Sequence, residues 1–105
     1  MLKTLFSFVA GALLSCSLFA QGVSIGSVLW QFTLEGGILA SPAIGLDGTI
    51  YVGSDGGRMH ALAPSGAEVW SFKTQKQIRV APVVGLDGTV YLSSLDGNMY
   101  ALGTD

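Results

Sequence analysis

Displaced by forty positions, the chain lies on itself without a gap. Gly26 falls on Gly66, Trp30 on Trp70, Phe32 on Phe72, Ile38 on Ile78 and Pro42 on Pro82. The run Gly45-Leu46-Asp47-Gly48-Thr49 falls on Gly85-Leu86-Asp87-Gly88-Thr89, and Tyr51, Ser54, Gly57, Met59, Ala61 and Leu62 fall on Tyr91, Ser94, Gly97, Met99, Ala101 and Leu102. Sixteen of the thirty-seven pairs from residue 26 to residue 62 are identical. A period of this length belongs to architectures that stack one supersecondary unit repeatedly, because such a unit cannot hide its apolar surface alone. The chain therefore divides into two repeats, residues 26–65 and 66–105, behind an N-terminal segment, residues 1–20, that does not repeat.

Each period reads as four short strands. A brief one follows Pro42, and Asp47-Gly48 then supplies a pair suited to the positive φ of a tight hairpin. Ile50-Tyr51-Val52 is β-branched and aromatic, and Ser54-Asp55-Gly56-Gly57 turns it back into a strand from Arg58. Pro64-Ser65-Gly66 leads to a last strand carrying Trp70 and Phe72 two apart on one face. The unit is an antiparallel meander.

Side-chain parity decides how these sheets are covered. Ile50 and Val52 oppose Tyr51, Met59 and Ala61 oppose His60 and Leu62, and Trp70 and Phe72 oppose Val69. Both faces are apolar, so each sheet needs cover on both sides. Broadside stacking of successive four-stranded sheets around an axis supplies it, and that is a β-propeller. The fold class expected is all-β, a partial propeller of two four-stranded blades that leaves the ring incomplete.

Trp then Phe two residues on, Ser-Pro-Ala or Ala-Pro-Val, Leu-Asp-Gly-Thr followed by Ile or Val and then Tyr, and Met-x-Ala-Leu occur twice in phase. This pattern resembles the pyrroloquinoline-quinone-like (PQQ-like) propeller repeat over residues 26–105; the Gly-His and Trp-Asp signatures of WD40 blades are absent. The resemblance implies the fold. It spans quinoprotein alcohol and glucose dehydrogenases and also non-catalytic members, among them the propeller lipoprotein of the outer-membrane β-barrel assembly machinery. The catalytic members hold the quinone with calcium, a catalytic Asp and often an adjacent Cys pair. Nothing here matches that constellation, so no cofactor, no metal and no enzymatic activity are expected. The alternative is a fragment of a quinoprotein dehydrogenase.

The start of the chain indicates a destination. Lys3 precedes an apolar stretch from Leu5 to Leu14 that ends in small residues, the pattern of a secretory signal peptide over residues 1–20. Cleavage after Ala20 would release a periplasmic or extracellular domain. Leu13-Leu14-Ser15-Cys16 also resembles a lipobox, and Cys16 would then carry a lipid and tether the chain to the outer membrane; a membrane partner is expected only in that case. Cys16 is the single cysteine, so no disulfide framework is available. A net charge of −2, with five basic residues dispersed along the chain, leaves no footprint for nucleic acid.

Other residues that suggest chemistry have plainer roles. Asp47, Asp55, Asp87 and Asp96 each neighbour a Gly in a turn and lack the dense spacing of a calcium loop. His60 is the only histidine, which excludes a multi-histidine zinc site in one chain; it is expected as a half-exposed strand residue. Trp30 and Trp70 are expected to pack between blades, and Arg58, Lys73, Lys76 and Arg79 to be solvated. The residues that define the repeat are thus Trp30, Trp70, Pro42, Pro82, Asp47, Gly48, Asp87, Gly88, Tyr51 and Tyr91.

The phase of the repeat adds an expectation about partners. It opens on a Trp-bearing fourth strand at residues 28–34, runs through one whole unit and stops after a third strand at Leu102. Propellers use about four to eight blades, so two units cannot close. Three outcomes compete: copies associating head to tail through open blade edges, a remnant of a longer product, or a protein partner docked by strand addition. A remnant would be expected to aggregate or be degraded; the function expected overall is a non-catalytic binding or scaffold module of the bacterial cell envelope.

Overall fold

The computed structural model describes residues 25–103; the signal segment and Cys16 lie outside the described residues. The chain divides between Gln31 and Phe32 into two units. In the first, Ile25 and Gly26 form a turn, Gly26 at φ 86°, and an exposed stretch runs on through Trp30. The second unit carries both sheets.

Seven strands are formed: β1 (Ala43–Ile44), β2 (Ile50–Gly53), β3 (Arg58–Leu62), β4 (Glu68–Lys73), β5 (Val83–Val84), β6 (Val90–Ser93) and β7 (Met99–Leu102). They make a four-stranded sheet, β1-β2-β3-β4, and a three-stranded sheet, β5-β6-β7, both antiparallel and in simple meander order. The register repeats with the sequence: Tyr51 faces Ala43 and Ala61 in the first sheet, Tyr91 faces Val83 and Ala101 in the second. The all-β partial propeller holds. Its sheets are open.

One expected strand is missing. Residues 28–34 form no strand, although their counterpart β4 pairs with β3 along its length. A strand needs a hydrogen-bonding neighbour along its length, and among the described residues none pairs with residues 28–34. The second sheet likewise has three strands instead of four.

The turns are built by local chemistry. Gly45 N–H donates to Thr49 O at 2.8 Å, Gly48 N–H donates to Gly45 O at 3.0 Å, and the Asp47 Oδ1 accepts Thr49 N–H at 2.9 Å. Gly48 sits at φ 90°, where a side chain would be strained. The second repeat has the same bonds, from Gly85 to Thr89, with Gly88 at φ 91°. The loop closed is Leu46-Asp47-Gly48, longer by one residue than the tightest hairpin.

The core lies between the sheets. Tyr51, Met59 and Ala61 of the first sheet meet Val90 and Leu92 of the second around Ile78, with Trp70, Val84, Tyr100 and Leu102 packed against them. Opposite faces thus come together. The first sheet presents its Tyr-Met-Ala-Trp face, and the second presents the face at right parity for Val84, Val90, Leu92, Tyr100 and Leu102. Two aromatic contacts show the same relation one repeat apart: Phe72 meets Tyr100 edge-on at 5.2 Å, and Phe32 meets His60 edge-on at 5.3 Å.

Candidate functional site

The second sheet bears a face equivalent to the first sheet's buried one, and it is uncovered. Tyr51 is 3% exposed and Tyr91 38%; Met59 is 0% exposed and Met99 73%. Ala61 is buried, and Ala101 is exposed. Val83, on the same side as Tyr91, is also exposed. Beside this face runs β7, with no strand on its outer side among the described residues. In the first sheet that place is taken by β4, which sets Trp70 across from Ala61 and Phe72 across from Met59. Among the described residues the second sheet therefore has an unpaired strand edge and an exposed apolar flank together.

Between the sheets the segment after β4 shows what a covered flank requires. Thr74 N–H and its Oγ1 both donate to Gly57 O, at 2.7 and 2.8 Å, and Ile78 N–H donates to Ser54 O at 3.1 Å. On its other side the same segment meets the second repeat. Leu95 N–H donates to Gln77 O at 2.9 Å, and Ser94 Oγ reaches Thr74 Oγ1 and Lys76 O.

The remaining residues singled out from the sequence are dispersed. Trp70 is half-buried, its ring 5.8 Å from that of Tyr51; Trp30 lies in the first unit and on no strand. Pro82 is buried and Pro42 exposed. Asp47, Asp87 and Gly88 come together. Asp47, Asp87 and Gly88, though not Gly48, line with Tyr51, Leu46 and Leu86 an open cleft of about 250 Å³ between the two turns. That is below the usual range of about 300 to 1,000 Å³ for a small-molecule site. The carboxyl groups of Asp47 and Asp87 are held below the ordinary range by the backbone N–H of Thr49 and Thr89, so both are engaged in their own turns. Burial, and then the nearby Asp47 charge, pushes the Tyr51 hydroxyl up. Among the described residues no group of three or more His, Cys, Asp or Glu comes together to hold a metal, and no helix is long and apolar enough to cross a membrane.

Two features escaped sequence reasoning. His60 is buried, against the expected half exposure, because Phe32 meets its ring edge-on and Glu68 Oε2 lies 2.7 Å from its Nδ1. Glu68 reaches it through a slip in register: Ala61 faces Trp70 but Leu62 faces Glu68, which bulges Val69 outward. Arg79, expected to be solvated, donates from Nε and Nη2 to the two carboxylate oxygens of Asp55, at 2.9 and 3.2 Å. That fork holds the Asp55 carboxyl below its ordinary range. The pairs are eight and twenty-four residues apart, and no periodicity announces them.

A family model described as outer membrane protein assembly factor BamB matches residues 20–105. The chain belongs to this family. The match covers both sheets and the whole of the repeat, so the sequence resemblance and the duplicated blade describe one PQQ-like architecture. None of the curated proteins matches the chain.

Proposed function

We propose that this BamB-like chain is an exported, non-catalytic repeat module that binds another protein in the bacterial cell envelope, using the free edge of β7 and the flank beside it. One observation carries the reading: the side chains that the first sheet buries against its neighbour, Tyr51, Met59 and Ala61, recur uncovered on the second as Tyr91, Met99 and Ala101. An apolar flank next to an unpaired strand is the usual ground for strand addition, in which main-chain bonds give affinity and the flank gives specificity. The family model supports an envelope setting through its printed description. Residues 1–20 support export, and Cys16 would decide between a soluble and a tethered form.

A photo-crosslinking amino acid at Met99, expressed in cells, tests the reading. The expected result is one discrete adduct in the envelope fraction, lost when Tyr91→Arg is added and not formed from the exposed turn residue Ser65. Identical adducts from Met99 and Ser65, or none from Met99, would refute it.

A further inference from the structure

We infer that the cleft between the Leu46 and Leu86 turns docks an extended segment of a protein partner, one arginine side chain of which enters the cleft while apolar residues beside it lie on the two leucines. This surface is separate from the β7 flank and does not depend on it.

The leucines are the first ground. Leu46 is 85% exposed and Leu86 92%. The first repeat has its successor in place, which buries Tyr51, Met59 and Ala61 and still leaves Leu46 in solvent. The second repeat has its predecessor in place, and Leu86 is in solvent all the same. Neither neighbour in the stack covers the leucine, so its exposure belongs to the turn and not to the point where a sheet ends. The turn itself does not use the side chain, being closed by bonds among Gly45, Asp47, Gly48 and Thr49. The two leucines, with the buried Tyr51 and the half-buried Val84, line one cleft, and apolar groups gathered at an exposed site mark a contact surface.

Charge selects the occupant. Asp47 and Asp87 line the same cleft, and the backbone N–H groups of Thr49 and Thr89 hold both carboxyls low enough to be ionised at neutral pH. Every lysine and arginine among the described residues lies away from it, at the other end of β2 and β3. Arg58 and Lys73 stand opposite each other there, with Lys73 Nζ donating to Gly56 O at 3.1 Å. Lys76 and Arg79 belong to the segment between β4 and β5, where Arg79 is held by Asp55. Two carboxylates set among apolar groups draw a cation and repel an anionic lipid surface. Arginine suits the cleft better than lysine: it is less strongly hydrated, its planar fork meets carboxylates with paired bonds, and its methylenes lie along apolar side chains. A volume of about 250 Å³ is below that of small-molecule sites and matches one long side chain offered by a larger segment.

NMR of the full chain with labelled leucine and valine methyl groups, titrated with a blocked Leu-Arg-Leu peptide, provides the test. The Leu46 and Leu86 methyl signals are expected to shift saturably, while those of the exposed Val69 stay in place. A Leu-Glu-Leu peptide should move neither leucine. Asp47→Asn and Asp87→Asn keep an acceptor oxygen for the turn, and each should weaken binding about threefold, the pair about tenfold. Equal shifts from the Arg and Glu peptides, or none from the Arg peptide at millimolar concentration, would overturn the inference. So would shifts produced by vesicles of anionic phospholipid in place of the peptide. The comparison of peptides needs no variant, so a folding defect in either asparagine substitution leaves it decisive. Met99→Arg should change nothing here, which separates failure at this cleft from failure at the β7 flank.

Discussion

The two sheets carry nearly the same side chains at the same register positions, yet one has both faces covered and the other has one. Tyr51, Met59 and Ala61 are core residues, whereas Tyr91, Met99 and Ala101 are surface residues. The difference does not arise within the three-stranded meander that the sheets share, since its strand order, turn geometry and pairing agree. It arises from what lies next to each. In a stacked repeat, burial is a property of the neighbour as much as of the residue, so an identical methionine can be worth several kcal/mol in one copy and almost nothing in the next.

Truncating that methionine in each repeat gives the sharpest contrast. Met59→Ala should destabilise the fold by about 2 to 5 kcal/mol, as a fully buried large-to-small change does, and Met99→Ala by less than about 0.5 kcal/mol, as a surface change does. Urea denaturation of both variants measures this, and equal losses would mean that the second flank is covered after all. A smaller contrast of the same kind concerns serine. Ser94 Oγ bonds within the segment after β4, to the Thr74 hydroxyl and to the Lys76 carbonyl, whereas the counterpart Ser54 Oγ is buried without a partner, and the residue forty before Thr74 is Leu34, which has no hydroxyl. Ser94→Ala should therefore cost about 1 kcal/mol and Ser54→Ala should be neutral or stabilising, which the order of their thermal midpoints would reveal.

The smallest effect is in pH. Tyr100 donates its hydroxyl proton to Asp96 Oδ2 at 2.7 Å, which holds the Asp96 carboxyl down and the Tyr100 hydroxyl up. The first repeat has Gly56 and His60 at these positions. A carboxyl whose folded pKa is depressed stabilises above its unfolded value, and that contribution is lost as pH falls through the lower folded one. A tyrosine whose folded pKa is raised stabilises below about 10 and loses its contribution as pH climbs through the higher folded value. Asp96→Asn should flatten both limbs of the stability profile; limbs as steep as those of the parent chain would remove the pair from the account.

What the sequence made legible was whatever is written locally or repeated. Asp47 and Gly48 declare their turn because the carboxylate bonds an N–H two residues on, and the register of β2 with β3 follows from the turn between them. What stayed hidden depends on surfaces meeting through space. The burial of His60 follows from a one-residue slip at Leu62 and from Phe32, and the fork from Arg79 to Asp55 joins exposed residues with no pattern between them. The missing strand at residues 28–34 shows a different limit: Trp30 and Phe32 carry the right alternation, but alternation cannot supply the neighbour that a strand must pair with.

The segment from Thr74 to Ile78 is bonded at once to the Ser54–Gly57 turn and, through Ser94 and Leu95, to the turn that follows β6. A hinge in that position would let one blade melt while the other persisted. A stretch stitched to both sides instead forces them to open in a single event, so the amide protons of Thr74, Ile78 and Leu95 should exchange with solvent at a common rate set by the whole body rather than by either half.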